Sequence, residues 1–345
     1  MIQRTTICLF SALLFVPATL TAIAQSELPQ VLVIATGGTI AGEQREPGTL
    51  GGGYEIKKTA NEIVALIPEA RRYARVDTEQ FVNLASPGIT PEHWLMLARR
   101  INSVFDERPE IAGIVVTHGT ARLEETAFFL HLTVKSDRPV VVVGAQRPPT
   151  GISPDGPLNL LSAIRVAAAP AARGKGALVV MDEKIISARD AQKFFARTGG
   201  FGVEEMGVLG IVATHSVEFF YAPARKHTLA SDFDVSRITT LPRVDIQYSY
   251  AGSAGGNGTD AKAVIVATTG FTPAERAYYE GLQKKGVIVA TTFPSGDHVA
   301  SPPSARDNPI IAIQRMLPLH ARILMMLTLT KTQDPREIQR IFDLY

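Results

Sequence analysis

Val31-Leu32-Val33-Ile34-Ala35, running into Thr36-Gly37-Gly38-Thr39-Ile40-Ala41-Gly42, is the stretch on which the fold turns. Five consecutive apolar residues with no polar alternation read as a strand buried on both faces, and the glycine turn behind them ends it abruptly. The same rhythm recurs outward along the chain. Gly113 to Thr117, Pro139 to Gly144 and Ala177 to Met181 are further apolar runs, each closed by a loop rich in Gly, Ser or Thr. Between them lie amphipathic stretches. The clearest opens at Thr90 with Pro91 at the first helical position and continues through Trp94, Leu95, Leu97, Ala98 and Ile101 at helical spacing. Glu124 to Thr133 and Pro157 to Ala168 have the same character. Strands alternating with helices predict an α/β fold whose sheet is mostly parallel and covered by helices on both faces.

After Ile211 to Ala213 the pattern loosens. Residues 28–221 are therefore assigned to a larger N-terminal α/β domain and 222–243 to a linker. Residues 244–345 form a smaller C-terminal α/β domain with strands near Val244 to Tyr248, Ala263 to Thr268 and Val287 to Thr291. Helices are predicted from Thr272 to Lys285, near Leu319 to Leu329, and from Asp334 to the C-terminus, where Asp334 precedes Pro335 as an N-cap. Gly252 to Gly258 reads as a turn or loop.

The bulk numbers bound the partners. A chain of 345 residues, 46% hydrophobic and 20% charged, has ample apolar mass for a buried core. Its 35 basic and 33 acidic residues give a net charge of +2 and form no polybasic block, which argues against nucleic acid as a partner. Residues 1–24 stand apart, with Arg4, an apolar stretch from Ile7 to Leu20, and small residues ending at Ala24. That is the layout of a cleaved signal peptide. A membrane anchor fits less well, because the stretch falls short of the roughly 20 residues a spanning helix needs and Pro17 interrupts it. The mature product is expected in the periplasm or secreted, free of the membrane. Cys8 is the single cysteine and lies in this leader, so thiol chemistry and thiolate metal sites are excluded.

Ligands of open parallel sheets sit at the carboxyl ends of the strands, so chemistry is sought in those loops. Thr39 offers a hydroxyl on a glycine-rich turn. Such a turn also cradles phosphates, but the G-x-G-x-x-G spacing is absent and no Gly-Lys-Ser/Thr follows. Thr39 is thus a candidate nucleophile. Gly42 to Gly53 holds five glycines and one proline and ends in Tyr54, which fits a closing lid. Thr117-His118-Gly119-Thr120 places a second hydroxyl at the same end of the sheet. Lys193, expected in the loop beyond Ala177 to Met181, becomes a base if burial lowers its pKa. His118 reads as structural, no Gly-x-Ser-x-Gly elbow marks a serine triad, and the histidines lack metal-ligand spacing.

Ile34 to Gly42, Thr117-His118-Gly119-Thr120 with Glu124-Glu125-Thr126-Ala127, Gly144-Ala145-Gln146-Arg147-Pro148, Asp155-Gly156-Pro157-x-Asn159-Leu160 and Pro223 to Thr228 together resemble the exported (type II) bacterial L-asparaginases and glutaminase-asparaginases. The similarity runs, in order, over nearly the whole mature chain. It implies a two-domain α/β amidohydrolase that cleaves a small-molecule side-chain amide through a threonine without metal or cofactor. It also implies a homotetramer with sites between subunits. Carried over position by position, Thr39 is the nucleophile, Tyr54 its lid partner, and Thr120 and Lys193 the second threonine and the lysine of the catalytic group. Ser86 takes the place of the serine that holds the substrate carboxylate.

Three positions depart from the family pattern: Ala121 stands where an aspartate follows the second threonine, Pro87 where Gln or Glu follows the serine, and Phe271 where the second domain carries Asn. The family's aspartate orients the lysine and helps bind an α-ammonium. Losing the orienting carboxylate of a serine protease triad costs about 10⁴ in turnover, which bounds the damage. An ammonium buried without a counter-charge costs several kcal/mol. These losses point to altered recognition around an intact bond-breaking centre, with Arg122 as a new charge contact to the substrate. A competing reading is a periplasmic binding or scaffold protein that kept the fold and lost catalysis. Retention of Thr39, Tyr54 and Lys193 favours the enzyme, since a binder needs no activated hydroxyl.

Overall fold

Strand Gln30–Gly37 is buried from Val31 onward and lies inside the larger sheet of the computed structural model, which describes residues 27–50, 52–203, 205–297 and 310–345. The leader expected at 1–24 lies outside the described residues. That sheet has eight strands, in the order Val217–Phe219, Gly210–Val212, Lys184–Ser187, Ala177–Met181, Val140–Val143, Ile111–Thr117, Gln30–Gly37, Arg75–Leu84. The five from Ala177–Met181 to Arg75–Leu84 pair in parallel, and the remaining three add on antiparallel. The mixed sheet therefore keeps a parallel half, and that half holds the apolar runs read from the sequence.

Arg75–Leu84 is a strand that the sequence reading passed over. Its polar composition explains this, because it is an edge strand in which most residues are only partly buried. Its carboxylates bond to the helix and loop beside it: Arg100 grips Glu79 at 2.8 Å and Arg108 reaches Asp77 at 2.6 Å. Charged edge residues also discourage pairing with a foreign strand.

A smaller sheet, Val244–Tyr248, Ala263–Ala267, Ile288–Thr292 and Ile311–Ala312, is parallel throughout. Helix Pro318–Thr328 packs between this sheet and helix Leu123–Thr133 of the first unit, which is why it is apolar on nearly every side. One continuous hydrophobic core consequently runs through both units. Arg189, buried beside the larger sheet, donates from Nε to the carbonyl of Tyr345 at 2.6 Å and pairs with Asp190 at 2.9 Å, fixing the end of the chain.

The strand order locates the crevice. From Gln30–Gly37 the chain moves to one side, to Arg75–Leu84, and then crosses to Ile111–Thr117 on the other. Such a reversal opens a cleft at the carboxyl ends of the two central strands. Gly37 and Gly38 have φ of +100° and +82°, a region that favours glycine. A Cβ on Gly38 would stand 2.3 Å from the Cα of Gly119, so the two loops touch backbone to backbone across the crevice. Gly38→Ala is expected to destabilise the protein by about 2 kcal/mol or more, lowering Tm by about 5 °C in a thermal melt, and to cut activity roughly 100-fold. A variant that melts with the wild type would show that the two loops do not meet.

Candidate active site

Thr39 opens a 3₁₀ turn directly after strand Gln30–Gly37, and its hydroxyl lies 2.7 Å from the Tyr54 hydroxyl. Tyr54 comes from a hairpin in which Gly42–Gln44 pairs antiparallel with Tyr54–Ile56. Gly42 makes this possible, because a Cβ there would press on the Tyr54 ring at 2.7 Å. The hairpin is anchored away from the crevice by Thr150, which accepts from the Gln44 amide at 2.9 Å and, through its carbonyl, from Gly48 at 3.0 Å. The lid read from the glycine-rich sequence is thus a tethered hairpin, and it brings Tyr54 to Thr39.

Thr120 follows strand Ile111–Thr117, and its hydroxyl accepts from Lys193 Nζ at 2.7 Å. Lys193 was expected in a loop. It lies instead in the short strand Gln192–Lys193, paired antiparallel with Phe201–Gly202, and the pairing supplies the rigidity that a loop lacks. Both threonines are 7% exposed, so neither stands free in solvent. Burial lowers the pKa of Lys193, and the carboxylate of Glu124 opposes that shift. The amine is poised between its two protonation states more closely than a surface lysine.

The Thr120 turn is held by a chain of hydrogen bonds whose directions can be assigned. The Gly119 carbonyl only accepts, so His118 Nδ1, 2.8 Å away, must carry its proton. Burial pushes the His118 pKa down to about 4, which leaves Nε2 as an acceptor for the Thr126 hydroxyl at 2.9 Å. Thr126 in turn accepts from the Trp94 indole at 2.9 Å. His118 is therefore structural, as the sequence reading held. On the third loop Asp155 accepts the amides of Gln146 and Arg147 at 2.9 and 2.8 Å, and Asn159 donates to the Gly144 carbonyl at 3.1 Å. Gly144 leaves room for Thr120, since a Cβ there would sit 3.0 Å from its methyl group.

Ser86 packs against Gly119 so closely that a Cβ on the glycine would lie 2.5 Å from its own Cβ. Its hydroxyl donates to the Gly119 carbonyl at 2.5 Å and accepts the Arg122 amide at 2.8 Å. In this arrangement the proton expected to meet a substrate carboxylate buttresses the Thr120 turn. The Arg122 guanidinium bonds to Glu125 at 3.1 Å, while Arg322 approaches the other oxygen of that buried carboxylate at 3.8 Å. Pro87, Trp94, Arg122, Glu125, Asp245 and Arg322 line a cleft of about 530 Å³ beginning one residue from Ser86. Ala121 is exposed. Phe271 packs at a tilt on Tyr279, ring centres 5.0 Å apart, at the edge of the small core of the second unit. Two residues quoted for the resemblance without a role also reach the site: Gln146, whose Oε1 is 3.4 Å from the Thr120 hydroxyl, and Glu124, which accepts the Lys193 amide at 2.6 Å. Only the pairing of Lys193 with the 123–133 helix reveals the second.

A family model described as "Asparaginase, N-terminal" matches residues 30–225. The chain is similar to "L-asparaginase 2" of Bacillus subtilis (strain 168), with 41% identity over 93% of this chain and 88% of the relative. It is similar to "Glutaminase-asparaginase" of Pseudomonas fluorescens biotype A, with 39% identity over 92% and 91% of the two chains. The crystal structure titled as a probable cytoplasmic L-asparaginase from Campylobacter jejuni superposes with a TM-score of 0.86 at 37% identity, covering 92% of this chain and all of its own. A hydroxyl–hydroxyl pair and a hydroxyl–amine pair at the crevice of a parallel sheet and relatives alike over nine-tenths of the chain agree: this chain belongs to the asparaginase family of amidohydrolases.

Proposed function

We propose that the chain hydrolyses a side-chain amide, of the kind carried by L-asparagine, with Thr39 as nucleophile. The observation that carries this reading is the pair of hydroxyl contacts, Thr39 with Tyr54 and Thr120 with Lys193, on loops pressed together at Gly38 and Gly119. In the reaction the Thr39 oxygen forms a bond to the amide carbon while its proton passes to Lys193 by way of Thr120. In its amine form Lys193 accepts the Thr120 proton instead of donating to that oxygen. The proton is then delivered to the amide nitrogen as the C–N bond breaks, and ammonia leaves. Water attacks the resulting ester through the same relay and restores Thr39. Tyr54 orients the Thr39 hydroxyl, and the relay asks no metal or cofactor of the protein.

The far end of the substrate is recognised in an unusual way. No carboxylate stands at position 121, and the neighbouring acids are committed, Glu125 to Arg122 and Arg322 and Glu124 to the Lys193 amide. An α-ammonium would lose its hydration without a counter-charge from this part of the chain. An asparagine whose amino group is acylated or in a peptide bond avoids that loss, and the cleft beside Pro87 and Arg122 has room for the added group. Export rests on the leader at 1–24, and assembly into homotetramers with sites between subunits rests on the family resemblance. Phe194 and Phe195, both well exposed directly after Lys193, suit a surface covered by a second copy.

Thr39→Ala is expected to reduce ammonia release by at least about 10³-fold while leaving the melting curve in place, and near-wild-type turnover by this variant would overturn the nucleophile assignment. In parallel assays, kcat/KM for N-acetyl asparagine is expected to exceed that for free asparagine by about tenfold or more, about 1.4 kcal/mol. Efficient turnover of the free amino acid would refute the altered recognition without touching the role of Thr39. Expression in a bacterial host followed by N-terminal sequencing of the periplasmic fraction is expected to show a chain beginning at Gln25.

A further inference from the structure

Lys193 bonds through Nζ to Thr120 and through its backbone amide to Glu124, while position 121, directly after Thr120, holds alanine. We propose that Glu124 is the positioning residue of Lys193, holding its main chain by accepting the amide N–H and sustaining its side-chain amine through the charge it carries in the buried interior.

The geometry is specific. Glu124 sits in the first turn of helix Leu123–Thr133, where the free peptide N–H groups favour a negative charge, and the residue is 8% exposed. Its Oε2 accepts the Lys193 amide at 2.6 Å, a short bond of the charge-assisted kind. Lys193 then extends to Thr120, four residues before Glu124, with Nζ to Oγ1 at 2.7 Å. The turn from Thr120 to Glu124 is thus closed into a ring by Lys193, one bond to its backbone and one to its side chain. The start of the helix is pinned independently by the Arg122 amide on Ser86.

The charges around this ring are few. Burial pushes Glu124 toward its neutral form and Glu125 repels it, while Lys193 and Arg122 draw it toward the charged form. Glu125 is itself paired with Arg122 on the same helix and faced by Arg322 from helix Pro318–Thr328. On Lys193, burial disfavours the ammonium and Glu124 favours it. Charges in a poorly solvated interior act at longer range than in water, so no direct contact between Glu124 and Nζ is needed. Glu124 therefore sets how far the amine falls below an ordinary lysine, and with it the pH at which the relay starts to accept protons.

This inference rests on the proposed role of Lys193 as base, and the test separates the two. Glu124→Gln keeps an oxygen for the Lys193 amide and removes the charge. Without the carboxylate the ammonium is less favoured, the pKa of Lys193 falls, and the acid limb of kcat/KM against pH is expected to move about one unit lower, with Tm within a few degrees of wild type. A folded variant whose limb stays in place, or whose rate falls equally at every pH, overturns the proposal and marks Glu124 as a packing residue. Should the variant not fold, the wild type labelled at lysine Cε decides by NMR titration, with the Lys193 signal identified by its loss in Lys193→Met. A second inflection in that signal, from ionisation of Glu124, supports the coupling, and a single inflection refutes it. Loss of activity in Thr39→Ala alongside an unmoved limb would leave the hydrolase standing and this inference fallen.

Discussion

Backbone contact between Gly38 and Gly119 is the constraint on which the site depends. Two parallel strands lie side by side, and the loops leaving their carboxyl ends would ordinarily be held apart by side chains. Here neither loop carries a Cβ at the point of approach, Ser86 closes against Gly119 from a third side, and Gly144 leaves space from a fourth. Thr39 and Thr120 follow their glycines by one residue each, so both threonines leave the backbone next to the point where the loops touch. The glycines cost conformational entropy in the unfolded chain, and the large apolar core beneath the strands offsets it.

The polar groups around that contact are graded by what they can exchange with the reaction. His118, Thr126 and Trp94 are buried and Asp155 is half-buried, and all four are hydrogen-bonded within the protein in ways that hold loops still. Tyr54 is exposed and Lys193 half-buried, and they reach the threonines from elements that pack on the crevice from outside, a hairpin and a two-residue strand. In the proposed reaction these groups are tips attached to a rigid frame, an arrangement that would keep reacting atoms registered while leaving room for a substrate to enter. The buried carboxylates sit between these classes. Glu125 belongs to an arginine network at the cleft, whereas Glu124 is tied to the main chain of Lys193.

Much of this was legible along the chain. Apolar runs marked the central strands because a strand covered on both faces has no polar positions to hide, and Thr90, Thr272 and Asp334 marked helix starts because each precedes a proline. In the second unit Ala263–Ala267 was read for the same reason and Val244–Tyr248 was found at its bounds although it is a half-buried edge strand, while the two-residue strand Ile311–Ala312 was missed. Arg75–Leu84 was missed because an edge strand half in water carries the composition of a loop. Gln192–Lys193 was missed because two residues are too few to show a period.

Sequence by itself determined which residue types were present and where the chain had to turn: a hydroxyl after two glycines, a second after His118-Gly119, an amine at 193, and alanine in place of an acid at 121. Local patterning reports only on neighbours within a few residues, so it carried no information about what stands opposite. Tertiary structure alone decided that Tyr54 meets Thr39 across a hairpin, that Lys193 meets Thr120 across 73 residues, and that Ser86 spends its proton on the turn beneath it. It also decided that Glu124, unremarkable in a helix, faces the lysine that lacks its expected partner. The physical reason is that pairing depends on strand order and on where two backbones can touch, and those are settled by packing of the whole sheet.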